Sequence, residues 1–486
     1  MPKIKTNLII GAGPAGMAAA MELCKAQQPF VVIERDDRVG GLSKTYKFQE
    51  GNEVFFSDNG PHRFFSKNKY LYDFVSDLLK EQWIQVPRQT RQFIEGKFYD
   101  YPVNPSQALR NLGFWRAVRM VLDYLVAQVH YKILRKPMVS FEDYIVANFG
   151  RSLGEFNMLN YTEKIWGLPC NTLHPDWAAQ RIKGLNLIST VWEAVSRVLL
   201  GKSKNSPKSL IDVFYYPDSG TGLIYETIKE RIEEKDYRIF TKSFPVSVKH
   251  ANKKITEVVI NQQGELVSYE PDYLIESVPI VEFVKLLEPA PPEEVKEALS
   301  KLRYRSQVYL FVTINKPSIT KDQWIYFPDK DIPFGRVSEM KNFSAKMSPP
   351  DKTSLFVEFF CFEGDEVWNM SQEALLDLTV KHFEKLGFFT RQDVIGGHLV
   401  KQRNTYPIYD LEYQKYLGVV KDYLDQFENL LYIGRPGRFR YNNQDHSLEM
   451  GILAAQSVIT GKKFDMEDVG LEKEYFEKGY VPNDKK

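Results

Sequence analysis

The fold is decided at the amino terminus, where Ile4-Lys-Thr-Asn-Leu-Ile-Ile10 runs directly into Gly11-Ala-Gly-Pro-Ala-Gly16. The first segment is an apolar run typical of a buried strand, and Met17-Ala-Ala-Ala-Met-Glu-Leu23, which follows the glycines, is rich in strong helix formers. Phe30-Val-Val-Ile33 predicts a second buried strand, and it ends at Glu34, about 20 residues after the glycines. This order of strand, glycine turn, helix and strand predicts a βαβ unit.

The glycine turn has the chemistry of a dinucleotide site. Gly11 permits the tight turn, Gly13 lets a pyrophosphate approach the backbone, and Gly16 lets the helix pack closely on the strand. The helix N-terminus carries a partial positive charge that suits phosphates, and Glu34 is placed to accept the ribose hydroxyls. The residues of this segment that we expect to contact the dinucleotide are Gly11, Gly13, Pro14, Ala15, Gly16, Glu34 and Arg35.

The composition excludes several classes of protein. The chain has 486 residues, of which 43% are hydrophobic and 26% charged, as expected for a folded enzyme of two or three lobes. Lys and Arg total 64 against 63 for Asp and Glu, so there is no overall basic field to attract nucleic acid. Cys24, Cys170 and Cys361 include no CxxC pair. We therefore expect no disulfide framework, no metal site and a reducing, cytoplasmic location.

The longest apolar-leaning stretch, Leu112 to Leu134, bears on membrane contact. Three basic residues and Asp123 interrupt it, so it falls short of the roughly 18 uncharged residues of a spanning helix. The pattern predicts an amphipathic helix. Its basic side, like that of a second stretch from Leu187 to Lys204, would suit an anionic membrane surface, but we expect a solvated face instead. The N-terminal residues do not resemble an export signal, and the sequence leaves self-association open.

A second glycine pair indicates which dinucleotide is bound. Arg38-Val-Gly-Gly-Leu-Ser-Lys-Thr45 follows the second strand, and these extra glycines are superfluous for NAD. The segment resembles the extension that wraps the FAD diphosphate in flavoproteins of the amine oxidase and protoporphyrinogen oxidase group. This resemblance implies FAD as the cofactor, with contacts from Gly40, Gly41, Leu42 and Ser43.

The rest of the chain alternates between helical and strand-like patterns. Val308-Tyr-Leu-Phe-Val-Thr-Ile314 and Ser354-Leu-Phe-Val-Glu-Phe-Phe360 predict an antiparallel sheet above a substrate cleft. The fold class is therefore α/β, with a Rossmann-like FAD-binding domain interleaved with a helical insertion and an antiparallel substrate domain. The predicted parts are an FAD-binding part at 1–65, a mainly helical insertion at 66–205, a return to the FAD domain at 206–290, the substrate sheet at 291–405, a C-terminal FAD-binding part at 406–465 and a charged tail at 466–486.

Several further motifs lie outside the glycine turn. The sharpest is Asn443-Gln-Asp-His-Ser447, which follows Gly434-Arg-Pro-Gly-Arg-Phe-Arg-Tyr441. The others are Asn59-Gly-Pro-His-Arg-Phe-Phe65, Tyr161-Thr-Glu-Lys-Ile-Trp-Gly-Leu-Pro169, Trp177 to Arg181, Trp324-Ile-Tyr-Phe-Pro-Asp329 and Ile332-Pro-Phe-Gly-Arg336. Together they resemble the UDP-galactopyranose mutase family, especially its eukaryotic type, across most of the chain.

The resemblance implies a role for each matching residue. Two arginines, Arg181 and Arg336, would clamp a substrate diphosphate, and His62 would stand beside the isoalloxazine. The other substrate contacts implied are Tyr101, Asn104, Trp166, Trp177, Tyr326, Tyr406 and Tyr441. The other FAD contacts implied are Val246, Gly434, Arg435, Asn443, Gln444 and Ser447.

The resemblance also implies a reaction. In that family N5 of reduced FAD attacks the anomeric carbon of a nucleotide sugar, and an adduct with the opened sugar allows a pyranose and a furanose to interconvert. NAD(P)H would serve as the external reductant. The sequence departs from the family pattern at Asn104, where a longer amide is expected, at Thr162, where Asn is expected, and at Gly60-Pro61, which replaces paired glycines.

Two other functions fit the same motifs. One is an oxidoreductase of the protoporphyrinogen oxidase or amine oxidase type, which would take a hydride from an apolar or amine substrate. The other is a binding subunit without turnover. Paired arginines favour the nucleotide-sugar substrate, because an apolar substrate needs no cationic clamp. Membrane docking of the stretch Leu112 to Leu134 would favour the oxidoreductase.

Overall fold

The computed structural model describes residues 3–66, 68–101, 105–177 and 213–470. Two large sheets form the framework of the molecule, one with eight strands and one with seven. Two small sheets accompany them, in which Thr45–Glu50 pairs with Glu53–Asp58 and Trp83–Pro87 pairs with Val213–Pro217. The α/β fold class predicted from the sequence is confirmed.

The eight-stranded sheet contains the predicted βαβ unit. Ile4–Ile10 pairs in parallel with Phe30–Ile33 on one side and with Glu265–Glu276 on the other. Leu8, Ile9 and Ile10 are almost fully buried, as expected for a parallel strand covered on both faces. The strands in spatial order are Leu287–Glu288, Ser243–Ala251, Lys254–Gln262, Glu265–Glu276, Ile4–Ile10, Phe30–Ile33 and Arg238–Phe240, with Leu430–Tyr432 also paired to Glu265–Glu276.

Two helices cover this sheet where the cofactor motifs lie. The first helix, Pro14–Lys25, packs along the C-terminal helix Gln444–Thr460. A Cβ placed on Gly451 would lie 2.1 Å from the Ala15 carbonyl oxygen, so the close approach of the two helices requires a glycine there. This contact brings the first and last parts of the chain to one edge of the sheet.

The seven-stranded sheet forms the second lobe. Its strands in spatial order are Val394–Pro407, Tyr304–Ile314, Thr353–Cys361, Arg336–Glu339, Trp324–Tyr326, Thr90–Ile94 and Lys97–Asp100. The sequence pattern did not indicate the last two strands, which lie in the stretch assigned to the helical insertion. They form a hairpin whose turn residues, Glu95 and Gly96, both have positive φ, and this is the twist that a two-residue hairpin turn needs.

The helical segment of the insertion includes a long helix on the surface. Phe114–Gln128 continues as one π-helical turn through Val129–Ile133, and it packs against the helix Phe141–Phe149. The helix is amphipathic, as predicted, but its solvent-facing side carries large apolar residues. Within the described ranges, no helix is both long and apolar enough to cross a membrane.

The remaining helices connect and cover the two sheets. Those of four or more residues are Lys69–Leu79, Pro105–Leu112, Asn160–Trp166, Leu223–Glu233, Ile280–Val284, Glu293–Lys301, Glu366–Asn369, Gln372–Leu386, Tyr413–Leu424 and Gly434–Gly437, with a π-helical turn at Gly154–Leu159. Short helical turns lie at Gly41–Ser43, Lys80–Gln82, Arg151–Leu153, Cys170–Thr172, Met340–Asn342, Ala345–Met347 and Arg391–Asp393.

Candidate active site

The glycine turn and the second glycine pair lie against each other. The Gly40 N–H donates to the Ala12 carbonyl at 2.8 Å, which joins the two segments. A Cβ on Gly41 would lie 2.9 Å from the Cα of Gly13, so a side chain there would displace the turn. Of the residues that the structure describes, a Cβ on Gly13 would by contrast meet only Gly41, at 3.8 Å. The result is an open backbone cradle at the N-terminus of the first helix, the arrangement that receives a pyrophosphate.

Glu34 lies at the end of this cradle. Its two carboxylate oxygens accept the N–H groups of Ala12 at 2.7 Å and Asp36 at 2.9 Å, which fix the orientation of the carboxylate. Burial raises the pKa of Glu34, although both hydrogen bonds oppose that shift. Arg35 points outward and is exposed. A carboxylate fixed in this way fits the ribose of a dinucleotide.

Val246 is placed near the same end of the cradle by a short strand connection. The Ser243 N–H donates to the Glu34 carbonyl at 2.8 Å, and the ladder register shifts between Pro245 and Ser247, which makes Val246 the bulged residue. Bulges leave backbone groups out of the ladder. Val246 is 39% exposed, and its predicted contact with FAD stays a prediction.

The C-terminal motif closes the other side of the cradle. A Cβ on Gly434, whose φ is +76°, would lie 3.2 Å from the Cβ of Ala15. Asn443 caps the C-terminal helix together with His446, and Ser447 donates to the Asn442 side chain at 3.1 Å. The Gln444 amide oxygen accepts from Tyr225 at 3.0 Å and from Thr221 at 3.2 Å. The close packing of the glycines, the fixed Glu34 and the N-terminus of the first helix fit an FAD.

His62 lies between the cofactor cradle and the second lobe. Its Nε2 is 2.9 Å from the Leu42 carbonyl and 3.2 Å from the Asn59 carbonyl. Since a carbonyl can only accept, Nε2 carries the proton and Nδ1 is the acceptor of the neutral ring. Burial, together with the positive charges of Arg435 and Arg336, lowers the pKa of His62 to about 4. The histidine is therefore neutral at physiological pH.

A row of polar side chains crosses the sheet of the second lobe. The strand register places Tyr326 opposite Arg336 and Arg336 opposite Glu358. Directly opposed residues project from the same face of a sheet, so the three side chains lie side by side. The guanidinium of Arg336 makes a bidentate ion pair with the Glu358 carboxylate, with Nη2 donating to Oε1 at 2.8 Å.

Two more tyrosines extend this row. The ring of Tyr326 makes edge contacts with Tyr161 and Tyr101, at centroid distances of 5.3 and 5.6 Å. Burial raises the pKa of Tyr161 well above its usual value, although the charge of Arg336 opposes that shift. The Tyr161 phenol therefore remains a proton-bearing hydrogen-bond donor.

Arg435 joins the cofactor side to an aromatic wall. Tyr406 and Tyr441 stack at a centroid distance of 5.5 Å, and the Arg435 guanidinium carbon lies 5.3 and 4.8 Å from their centroids. Trp166 and Trp177 extend the wall, with edge contacts to Tyr406 and Tyr441 respectively. Among the described residues the buried Trp166 indole N–H has no acceptor. The structure thus brings all four aromatic residues into one contiguous cluster.

Lys164 fastens the loop that leads to Arg336. Its Nζ donates hydrogen bonds to four backbone carbonyls. The distances are 2.5 Å to Phe327 and to Asp329, 2.9 Å to Ile332 and 3.3 Å to Phe334. Lys164 lies on Asn160–Trp166, the helix that also carries Tyr161 and Trp166. One lysine therefore connects this helix with the segment between Tyr326 and Arg336.

Two of the predicted substrate residues, Arg181 and Asn104, lie outside the described residues. Each of the other predicted substrate residues belongs to one of two groups, the row around Arg336 or the aromatic wall beside Arg435. The sequence reasoning missed Glu358 and Lys164, and it did not assign a role to Tyr161. A signal existed for Glu358, because it is the single acid in the apolar run Ser354–Phe360 and therefore needs a buried partner.

Comparison with known proteins identifies the class. A family model described as flavin containing amine oxidoreductase matches residues 14–411, which is most of the chain. The chain belongs to the flavin-containing amine oxidoreductase family, and a flavin is the cofactor of that family. The wider family inferred from the second glycine pair is therefore confirmed.

The chain also resembles individual proteins, one by sequence and two by fold. The chain is 22% identical over 331 residues to an L-amino-acid oxidase of Sistrurus catenatus edwardsii, a match that covers 64% of this chain and 58% of the length of the oxidase. Its fold resembles a reduced UDP-galactopyranose mutase with a TM-score of 0.78 and 23% identity, covering 97% of this chain and 96% of the mutase. It also resembles a putative protoporphyrinogen oxidase from Exiguobacterium sp. 255-15, with a TM-score of 0.69, 15% identity and coverage of 95% and 100%.

Proposed function

We propose that this chain is an FAD-dependent nucleotide-sugar mutase that interconverts pyranose and furanose forms, with UDP-galactose or a related nucleotide sugar as substrate. The observation that carries the proposal is the grouping of Arg336 with Tyr161, Tyr326 and Tyr406, with His62 and Arg435 on the cofactor side. A cleft with cationic groups and phenol donors suits an anionic, hydroxyl-rich ligand, whereas an apolar substrate would gain nothing from either.

The leaving group of such a reaction is a nucleoside diphosphate. Its charge rises as the bond to the anomeric carbon breaks, so guanidinium groups near the diphosphate lower the barrier. Glu358 occupies Nε and Nη2 of Arg336. Nη1 is the remaining nitrogen of that guanidinium, and we assign it to the diphosphate. Arg181 is the proposed second clamp.

The phenols and the histidine have separate roles in this proposal. Tyr326, Tyr406 and Tyr441 donate to the diphosphate oxygens and orient the sugar, and Tyr161 supports Tyr326 through its edge contact. Neutral His62 offers Nδ1 as an acceptor to the cofactor or to a sugar hydroxyl, while its Nε2–H donates to the Leu42 carbonyl. Trp166 and Trp177 form the uridine wall.

Bound FAD in its reduced form would supply the nucleophile that holds the opened sugar, and NAD(P)H is the proposed source of the electrons. The residues proposed to hold it are those of the cradle, including Gly13, Glu34, Gly41 and Gly434. The protein side chains do the remaining work, which is to bind the diphosphate, orient the sugar and exclude water from the cleft.

An FAD-dependent oxidoreductase of the protoporphyrinogen oxidase or amine oxidase type is the second candidate. Two observations favour it: the family match, and the bidentate pair with Glu358, which neutralises much of the charge of Arg336. An oxidase would consume its substrate with loss of two electrons, whereas a mutase returns the flavin to its starting state. The two activities are therefore separable by product and by electron count.

The test is an assay of the reduced holoenzyme with UDP-galactopyranose, with furanose formation followed by chromatography. We expect furanose product with wild type and a loss of roughly 10- to 150-fold in catalytic efficiency for Arg336→Ala, since a charge-assisted hydrogen bond contributes about 1.5–3 kcal/mol. Arg391→Ala, which removes an exposed arginine paired with Asp377, is the matched control and should retain activity. Peroxide formation from an amine or an amino acid, without furanose, would establish the oxidoreductase instead.

A further inference from the structure

The outer face of the surface helix is apolar. Along Phe114–Gln128 and the turn Val129–Ile133, large hydrophobic side chains face solvent, and Trp115 at one end is 81% exposed and Ile133 at the other 70%. Leu122, Leu125, Val126 and Val129 lie between them and are also exposed. At 1.5 Å per residue this strip is about 30 Å long.

The spacing shows that these side chains share one side of the helix. Trp115, Leu122, Leu125 and Val129 are separated by three, four or seven residues, which places them above one another on a helix surface. Met120 and Ala127, on the opposite side, are buried. A surface helix usually turns its apolar side chains inward and its polar side chains outward. The exposed side of this helix is instead apolar.

Hydrogen bonds and close packing hold the helix to the rest of the protein. Its apolar face is therefore exposed in the folded helix and not because the helix frays. Gln128 Nε2 donates to the Ala147 carbonyl at 2.6 Å, and the Asp123 carboxylate accepts the Ser152 N–H at 2.5 Å. A Cβ on Gly150 would lie 2.8 Å from the Tyr124 backbone nitrogen, which shows how closely the neighbouring turn packs. These contacts all lie on the inner side of the helix.

The charged residues beside the apolar strip indicate what kind of partner this face would bind. The exposed basic residues Arg119, Lys132 and Arg135 stand beside the apolar strip. Asp123 is the only acid between residues 114 and 134, and it is bonded inward to Ser152. The face is thus apolar with a cationic border and no anion of its own, the composition of helices that lie in the headgroup region of anionic membranes. Trp115 at the end of the strip suits the same interface, because indole prefers the boundary between headgroups and acyl chains.

We propose that this face binds the surface of an anionic phospholipid membrane, with the helix lying in the plane of the interface. A second copy of this chain fits less well, since a two-fold pairing would bring the same cations of both copies to one interface without acids to pair them. Exposed apolar strips of this length are otherwise rare on soluble proteins. The proposal can be tested independently of the proposed function, because no residue of this helix belongs to the groups around Arg336 and Arg435. Its confirmation would add weight to the oxidoreductase, the second candidate function.

The test is flotation of the flavin-loaded full chain with vesicles of phosphatidylcholine containing about 30% phosphatidylglycerol, compared with phosphatidylcholine alone. We expect wild type to bind the anionic vesicles about tenfold better than the neutral ones, and added salt to weaken the binding. Leu122→Glu with Val126→Glu should lower binding to anionic vesicles by at least about tenfold, and Arg119→Gln with Lys132→Gln should remove the preference for them.

The matched control is Leu266→Glu with Ile459→Glu, which changes two exposed apolar residues elsewhere and should bind vesicles like wild type. Flavin content and melting temperature confirm that each variant is folded. Failure of wild type to bind either kind of vesicle would overturn the proposal, as would normal binding by the Leu122→Glu, Val126→Glu variant. Light scattering without lipid provides a further test, because a wild-type dimer that this variant converts to monomer would assign the face to a second copy.

Discussion

Arg336 and Glu358 lie directly opposite each other on neighbouring antiparallel strands and form a bidentate ion pair within the row of polar side chains on the second lobe. The Glu358 side chain is almost fully buried and the Arg336 side chain is 18% exposed. The residue proposed to clamp the substrate therefore also neutralises a buried acid. A single substitution at Arg336 changes both functions, so the two must be separated by a pair of variants.

Arg336→Met should lower stability and UDP affinity together. Loss of one partner of a buried ion pair costs about 3–5 kcal/mol, because the remaining charge is left uncompensated. The double variant Arg336→Met, Glu358→Gln removes that charge, so its melting temperature should return most of the way to the wild-type value. Its UDP affinity, measured by calorimetry on the reduced enzyme, should stay roughly 10- to 150-fold below that of wild type. Recovery of UDP binding in the double variant would contradict the clamp.

Lys164→Met tests whether the position of Arg336 depends on the hydrogen bonds from Lys164 to the four carbonyls. The four carbonyls would lose their shared donor, and the loop from Phe327 to Phe334 would be free to move. We expect UDP affinity to fall by about tenfold with normal flavin content, since the loop positions Arg336 but does not touch the cradle. Lys330→Met is the matched control, as it removes an exposed ion pair with Glu163 from the same loop. Equal effects of the two variants would argue against a specific positioning role.

The pH dependence of stability should contain a contribution from Asp58. Burial raises the pKa of Asp58 to about 7, against the hydrogen bonds from Thr45, Tyr216 and Thr221. Between about pH 4 and pH 7 the folded protein keeps a proton that the unfolded chain has released, so the free energy of unfolding falls as pH rises through this window.

Asp58→Asn should flatten that slope. The difference of about three units between the folded and unfolded pKa of Asp58 corresponds to up to about 4 kcal/mol of the free energy of unfolding at neutral pH. Melting curves of wild type and variant between pH 4 and pH 8 measure the difference, and Asp468→Asn, at an exposed position, should keep the wild-type slope. An unchanged slope in the Asp58 variant would show that Asp58 ionises normally in the folded protein.

Gly13→Leu tests the cofactor cradle. A leucine side chain would extend into the open side of the turn, where the pyrophosphate is expected, so the purified protein should lose its flavin absorbance. Gly418→Leu is a suitable control, because a Cβ at Gly418 meets no atom of the described part of the chain within 4 Å. Full flavin content in the Gly13 variant would disprove the assignment of the cradle.

The first 45 residues could be predicted from sequence because their signals are local. Strand, glycine turn, helix and acid follow one another along the chain, and each requires a particular residue type for a backbone reason that a sequence displays directly. The alternating strands Tyr304–Ile314 and Thr353–Cys361 were predictable for the same reason, since their apolar runs are long.

The cleft could be predicted only in part, because its contacts join distant residues. Lys164 meets its first carbonyl partner across 163 residues, and the pairing of Arg336 with Glu358 depends on a strand register that no local pattern fixes. The hairpin Thr90–Asp100 was missed because its strands are short and lie beside helical patterns. The surface helix was predicted to be amphipathic, but which side faces solvent depends on the helix Phe141–Phe149 that packs against it.

The number of product molecules formed per reducing equivalent tests the central claim most directly. The holoenzyme is reduced anaerobically with a measured, substoichiometric amount of dithionite and given excess UDP-galactopyranose, and furanose is counted by chromatography. A mutase returns its electrons after every turnover, so we expect many furanose molecules per electron pair and no product from fully oxidised enzyme. One product per electron pair, or equal activity of the oxidised enzyme, would contradict the account and assign the chain to the oxidoreductases.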